Sequence, residues 1–193
     1  MLRWDLTQDG AMAAEQMKQT GEKSGVKRIL LRAFFVLCCV MLLVAFDQWT
    51  KQLAVQHLQN QAAIALIPGV LELVFVKNFG AAFGILQGGQ IFFFLIAGTV
   101  SIVLFVLLLR LPARKRFLPL AACFVFIIAG ALGNLADRVL HTYVVDFIYF
   151  VPIDFPVFNV ADIYITCSCA VLVLLLLFFY KDDEFSFKKE AGR

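Results

Sequence analysis

Charge is scarce in this 193-residue sequence: 16% of its residues are Asp, Glu, Lys or Arg, against 62% hydrophobic ones, and the mean hydropathy is +0.86. That leaves too little polar surface to clothe a soluble domain of this size, so the chain needs lipid as its solvent. The net charge of +3 is small, and the 17 Lys and Arg cluster beside apolar stretches, so no nucleic-acid partner is expected. Histidine is rarer still. His57 and His141 are the only two, which excludes an HExxH zinc site. Both lie outside the stretches that hold Ser101 and Ser168, so a serine triad is poorly supported. The five cysteines, Cys38, Cys39, Cys123, Cys167 and Cys169, are odd in number and all fall in apolar stretches, which gives no disulfide framework. They read as small buried hydrophobes. Cys167 and Cys169 project about 200° apart on a helix and would not chelate one ion together. No metal site is expected, and no internal repeat is visible.

What the sequence does have is long apolar runs. A hydrocarbon core of about 30 Å needs about 20 helical residues to cross it. Four stretches meet that length: 29–48, 90–109, 117–136 and 161–180. Residues 1–28 precede them as a polar tail of mixed charge with Gly10, Gly21 and Gly25, expected to be mostly disordered. The first run is long, lacks a small-x-small cleavage site and leads directly into Asp47, so it reads as a retained span rather than a removed leader. Residues 29–180 then make up the membrane domain and 181–193 a C-terminal tail.

Fourteen of the 17 basic residues fall in 1–32, 110–116 and 181–193, leaving Lys51, Lys77 and Arg138 on the other side. This bias predicts cytoplasmic termini and two outward-facing connections. In the first connection, β-branched and apolar residues of Ile64 to Lys77 flank Pro68-Gly69, which predicts two short strands at the membrane surface. The second, 139–158, carries Tyr143, Phe147, Tyr149, Phe150, Phe155 and Phe158, a composition suited to the headgroup interface.

Ionisable groups at a membrane are costly, and those that persist usually face the protein interior and often carry function. Here they gather at one end. Asp47, Lys51, Asn78, Asn134, Asp137, Arg138, Asp146, Asn159 and Asp162 all sit at outer span ends or in the outer connections. Gly130, Gly133, Asn134, Asp137 and Arg138 form one helical stripe, whose small residues allow close helix approach. Its polar end reads either as a clamp in which Arg138 pairs with a carboxylate or as direct substrate contact, with Asp137 in a supporting role. Asp47 and Lys51, spaced i, i+4, read as a helix-end ion pair that also shapes the site. Asn159 and Asp162 are ordinary helix-start chemistry, a cap and an acid in the first turn. Asp146 is different, because an acid between Val145 and Phe147 needs a partner or a raised pKa. With zinc and serine chemistry set aside, the remaining hydrolytic option is a carboxylate pair.

Five motifs in order, Asp47-Gln48-Trp49-Thr50-Lys51, Asn78-Phe79-Gly80-Ala81-Ala82-Phe83-Gly84, Gly133-Asn134-Leu135-Ala136-Asp137-Arg138, Val145-Asp146-Phe147-Ile148 and Phe158-Asn159-Val160-Ala161-Asp162, closely resemble the lipoprotein signal peptidase family, signal peptidase II. The resemblance covers about residues 29–180, and residues 1–28 are longer than the family's usual tail. It implies an all-α membrane protein of four transmembrane helices with a small extracytoplasmic β-cradle and a short surface helix. It also implies an intramembrane aspartyl endopeptidase of the bacterial plasma (inner) membrane that cleaves prolipoproteins before a diacylglyceryl-modified cysteine. Asp146 and Asp162 match its catalytic pair, and neither metal nor organic cofactor is implied. Asp47, Lys51, Asn78, Gly80, Gly130, Gly133, Asn134, Asp137, Arg138 and Asn159 are the candidates for substrate binding and site support. The expected partners are diacylglyceryl-modified prolipoproteins and membrane lipids, and a monomer is expected. Two other classes compete. An ion or proton carrier needs polar groups at mid-depth, where spans two and three offer only Thr99 and Ser101. A non-catalytic scaffold would lose stability rather than turnover when Asp146 or Asp162 is replaced.

Overall fold

A backbone surrounded by hydrocarbon must satisfy its own hydrogen bonds, and a helix does this within a single segment. The computed structural model describes residues 5–80, 90–181 and 184, with side chains from residue 26 onward except Gln90. Its helices are α1 (Asp5–Leu58), α2 (Gln90–Arg110), α3 (Leu118–His141) and α4 (Val160–Leu174), the last continued by a π turn at Leu175–Phe179. All four are long and apolar enough to cross a membrane. Ile91 is 77% exposed and Phe178 80%, which would be costly in water and is natural in lipid. The chain divides into two units, Met1–Cys38 and Cys39–Arg193.

Within the larger unit, α3 packs against both α2 and α4 and is buried along Leu120, Cys123, Phe124, Ile127, Ile128 and Gly130. Gly130 permits the approach to α4, because a Cβ there would meet the Ala161 carbonyl oxygen at 2.5 Å and Ile165 Cγ1 at 2.7 Å. A Cβ on Gly133 would fall 2.7 Å from Asp47 Oδ2. The small residues of the α3 stripe therefore make room for one helix and one carboxylate.

The expected hairpin is present as β1 (Ile64–Ile67) and β2 (Leu71–Asn78), with Gly69 at φ +70° in the turn. The aromatic connection differs from its expectation. Val144–Phe150 forms a third strand, β3, paired antiparallel with β2, so that Val76 lies opposite Asp146 and Asn78 opposite Val144. The order is β1-β2-β3. Phe158 then bridges back to Ile148, with N–H···O distances of 3.0 Å from Phe158 and 2.8 Å from Ile148. Helical structure in this connection is a 3-10 turn, Val151–Ile153.

Helix α1 ends at Leu58 rather than near residue 48, because Ala54, Val55 and Leu58 form one apolar cluster with Val145 and Phe147 beneath the sheet. Its other end also departs from expectation. Regular structure begins at Asp5 rather than after a disordered tail, and Ala11 to Lys18 consists of strong helix formers. Residues 81–84 of the second motif and most of the C-terminal tail lie outside the described residues.

Candidate active site

Strand alternation aims Asp146. Val145 and Phe147 face the cluster on α1, while Val144 and Asp146 face the opposite way, into a cavity of about 730 Å³. Asp146 is 1% exposed and accepts two amide donors, Asn78 Nδ2 to Oδ2 at 2.8 Å and Asn159 Nδ2 to Oδ1 at 2.6 Å. Burial is the main cause that pushes its pKa up to about 7, and the Asp162 charge adds to it. The Asn78 and Asn159 hydrogen bonds and the Lys51 charge pull the other way. Near neutrality this acid is divided between its two protonation states.

Asp162 is placed by a capping box at the start of α4. Its backbone N–H donates to Asn159 Oδ1 at 3.0 Å, and its Oδ2 accepts the Asn159 N–H at 3.1 Å. Its other oxygen accepts from Asn134 Nδ2 at 2.7 Å. The cap residue thus also touches the other acid, through the 2.6 Å bond to Asp146. The Phe158–Ile148 bridge, one residue upstream, holds Asn159 beside β3. Asp146 and Asp162 both line the cavity.

Behind the two acids lies an ionic cluster between α1 and α3. Lys51, buried with Asp47 and Asp137, directs its three N–H bonds to Asp47 Oδ2 at 2.8 Å, Asp137 Oδ2 at 3.1 Å and Asn134 Oδ1 at 2.9 Å. Asp47 Oδ1 accepts the Ala161 N–H at 2.9 Å, and Asp137 Oδ2 accepts the Val145 N–H at 3.0 Å. These two bonds tie the start of α4 and the start of β3 to the cluster. Because a lysine can only donate, Asn134 must turn its oxygen to Lys51, and that oxygen also accepts Asn159 Nδ2 at 3.1 Å. The Asn134 nitrogen is left to donate to Asp162. Lys51, together with the Asn159 amide, thereby sets the amide orientation that serves the cavity.

Arg138 serves the rim. Its guanidinium donates to Gly80 O at 2.9 Å and Asn134 O at 3.3 Å and stands 4.5 Å from the Phe93 ring centre. Among the described residues it makes no ion pair within 4 Å, so of the two readings of this stripe, clamp or substrate contact, the carboxylate clamp is not seen, and carbonyl contacts hold the guanidinium instead. Arg138 lines the cavity, where a guanidinium is available to a polar group of a ligand. Gly80 also donates its N–H to Asn78 Oδ1 at 3.0 Å, which turns the Asn78 nitrogen towards Asp146.

Every candidate side chain named from the sequence therefore falls in one connected region. Asn78, Gly80, Asn134, Arg138, Asp146 and Asp162 line the cavity, while Asp47, Lys51, Asp137 and Asn159 support it and Gly130 and Gly133 admit its neighbours. Sequence reasoning missed Gln48, whose Nε2 donates to Asp137 Oδ1 at 2.8 Å and Gly133 O at 3.1 Å. A polar amide between Asp47 and Lys51 was its visible signal. The apolar walls were missed too: Phe93, the run Phe155–Phe158, and Ile163, Thr166 and Cys167 on α4. Among the described residues no cluster of three or more His, Cys, Asp or Glu is arranged to hold a metal ion.

Comparison with known proteins agrees with this chemistry. The family model described as signal peptidase (SPase) II matches residues 39–178. A lipoprotein signal peptidase of Brevibacillus brevis is 42% identical over 132 residues, 68% of this chain and 87% of the relative. One from Enterococcus faecalis is 38% identical over 151 residues, covering 78% and 88%. Among solved structures, a bacterial membrane enzyme determined in meso at 2.3 Å resolution superposes with a TM-score of 0.67 at 33% identity, over 82% of this chain and 94% of the other.

Proposed function

The chain belongs to the signal peptidase II family, and on that premise we propose that it is an aspartic endopeptidase that removes signal peptides from prolipoproteins, with Asp146 and Asp162 as its catalytic pair. The observation that carries this reading is the meeting of two carboxylates on one cavity, one of them with a pKa near 7. Burial and the Asp162 charge both favour the protonated form of Asp146, so this acid can carry the proton the reaction needs.

Asp162, at a helix N-terminus and accepting on both oxygens, supplies the ionised carboxylate that takes a proton from the attacking water. Protonated Asp146 hydrogen-bonds the scissile carbonyl oxygen as the water oxygen bonds to carbon. When the tetrahedral adduct collapses, the C–N bond breaks and Asp146 gives its proton to the leaving amine, while the proton that Asp162 took from water restores the protonated acid of the pair. Arg138 and Asn78 at the rim offer donors to the peptide backbone.

The bond cleaved precedes a diacylglyceryl-modified cysteine, whose acyl chains stay in lipid while the peptide enters the cavity. The apolar walls formed by Phe93, Ile163 and Cys167 suit such a substrate. The basic-residue bias supports cytoplasmic termini in the bacterial plasma membrane, with the site near the outer face.

The deciding experiment is cleavage of a purified diacylglyceryl prolipoprotein by wild type, Asp146→Asn and Asp162→Asn in detergent, with folding checked for each. Both folded variants are expected to lose turnover. Near-normal turnover by either refutes the assignment.

A further inference from the structure

Four consecutive residues, Phe155, Pro156, Val157 and Phe158, make one wall of the cavity. They form a strap held at both ends, by unlike means. The downstream end is pinned by backbone: Phe158 pairs with Ile148 in both directions, and the Phe147 N–H also reaches Phe158 O at 3.0 Å. Asn159 follows at once, so this end cannot shift without disturbing the contacts to both acids. The upstream end has weaker backbone support. Phe155 N–H reaches Phe150 O at 3.2 Å, and Asp154 N–H closes the 3-10 turn on Val151 O at 3.0 Å.

Asp154 itself has φ +48°, a left-handed conformation that an L residue adopts at a cost. Opposing that cost is a short side-chain bond, Tyr149 OH to Asp154 Oδ1 at 2.6 Å, in the range of phenol-to-carboxylate hydrogen bonds. Tyr149 is a β3 residue paired with Glu72, three positions along the strand from Asp146. The bond therefore adds a surface side-chain tie, beside the Phe155–Phe150 backbone bond, between the upstream end of the wall and the strand that carries an acid.

We propose that Tyr149 and Asp154 are positioning residues for substrate binding, a latch that holds the Phe155–Val157 wall at its distance from Asp146 and Asp162. The proposal rests on the reading of this cavity as the peptidase site. Opening the latch loosens the upstream half of the strap, leaving it only the Phe155–Phe150 and Asp154–Val151 backbone bonds, while the Phe158–Ile148 bridge keeps Asn159 and the two acids in place. Substrate affinity then changes and the chemistry does not. Pro156 limits the freedom gained, since its ring fixes φ and keeps Phe155 extended, so the wall swings as a stiff piece.

The test is steady-state cleavage of a diacylglyceryl prolipoprotein by the full chain carrying Tyr149→Phe, Asp154→Gly or Asp154→Asn, with Asp146→Asn alongside. Tyr149→Phe deletes only the hydroxyl. Asp154→Gly deletes the acceptor while relieving the left-handed backbone, and Asp154→Asn keeps both an acceptor and tolerance of that conformation. The expected result is a KM raised about threefold or more in Tyr149→Phe and Asp154→Gly, as the loss of one hydrogen bond allows, with kcat within about twofold of wild type and Asp154→Asn near wild type. Unchanged KM in Tyr149→Phe overturns the latch, as does a fall in kcat at constant KM. Activity in Asp146→Asn would instead overturn the reading of the site, so the two failures are distinct.

Discussion

The side-chain amide of Asn159 donates to Asp146 at 2.6 Å while its backbone N–H donates to Asp162 at 3.1 Å. A helix cap has thus become the joint between two acids from different elements. Serine caps helices nearly as well as asparagine, but it has no amide to reach Asp146. Asn159→Ser is therefore expected to keep α4 and its melting temperature while lowering kcat about threefold to tenfold, the value of one hydrogen bond to a neutral acid. Parallel thermal unfolding and turnover measurements check it; a large stability loss would show that the cap matters more than the joint.

In the proposed mechanism, protonation of Asp146 sets the alkaline side of the activity profile. Its pKa lies above the ordinary carboxylate value, at about 7, so the protonated form persists up to that pH and is lost beyond it. Activity is expected to fall as pH rises through about 7. The Asn78 hydrogen bond favours the ionised form, so Asn78→Ala should move this limb to higher pH, although the rate at the plateau also falls. The same sign applies to stability: a neutral buried acid costs little, and the contribution is lost as pH rises through the folded-state value. A pH–rate profile of kcat/KM for both proteins reads the limb directly.

Removing Lys51 should be severe. Lys51→Met leaves Asp47 and Asp137 buried without their cation, a loss of about 3–5 kcal/mol for a broken buried pair. Adding Asp47→Asn and Asp137→Asn to the same chain removes both stranded charges and is expected to restore much of the melting temperature. Turnover should recover less than stability in that triple variant, because Asn134 then keeps its orientation only through Asn159 and Asp162 and has lost the Lys51 contact.

Gly130→Ala brings a methyl group against the backbone oxygen of Ala161, an atom that cannot rotate away. The expected cost is about 1–3 kcal/mol of stability, seen as a lower melting temperature. α4 would be displaced with it, so turnover should fall as well.

Much of this architecture was legible because its physical causes are local. The four spans follow from run length, and the β1–β2 hairpin from β-branched residues around Pro68-Gly69. β3 was not recognised, because the aromatics of Val144–Phe150 serve equally at a headgroup interface and in a strand. α1 was cut short for a related reason: its last turns mix polar and apolar residues, and only the sheet above explains Ala54 and Leu58. The polar residues of the site are legible as costly groups at the ends of apolar runs and in the connections between them. Their wiring is not, since nothing in the spacing of Asn134 and Lys51 says which amide atom faces the ammonium. Gln48 was passed over because an uncharged amide at a span end needs no explanation until its partner, Asp137, is seen beside it.

The bond from the Ala161 N–H to Asp47 joins residues 114 apart in the chain, the first span to the last. Between them the cavity draws on Asn78 from β2, Asn134 from α3 and Asp146 from β3. A nascent chain that has released only three helices from the ribosome therefore carries one of the two acids and lacks the cap that orients it. On the proposed assignment of the catalytic pair, peptide-bond cleavage has to wait for the fourth helix, since only then do both acids and the cap between them meet.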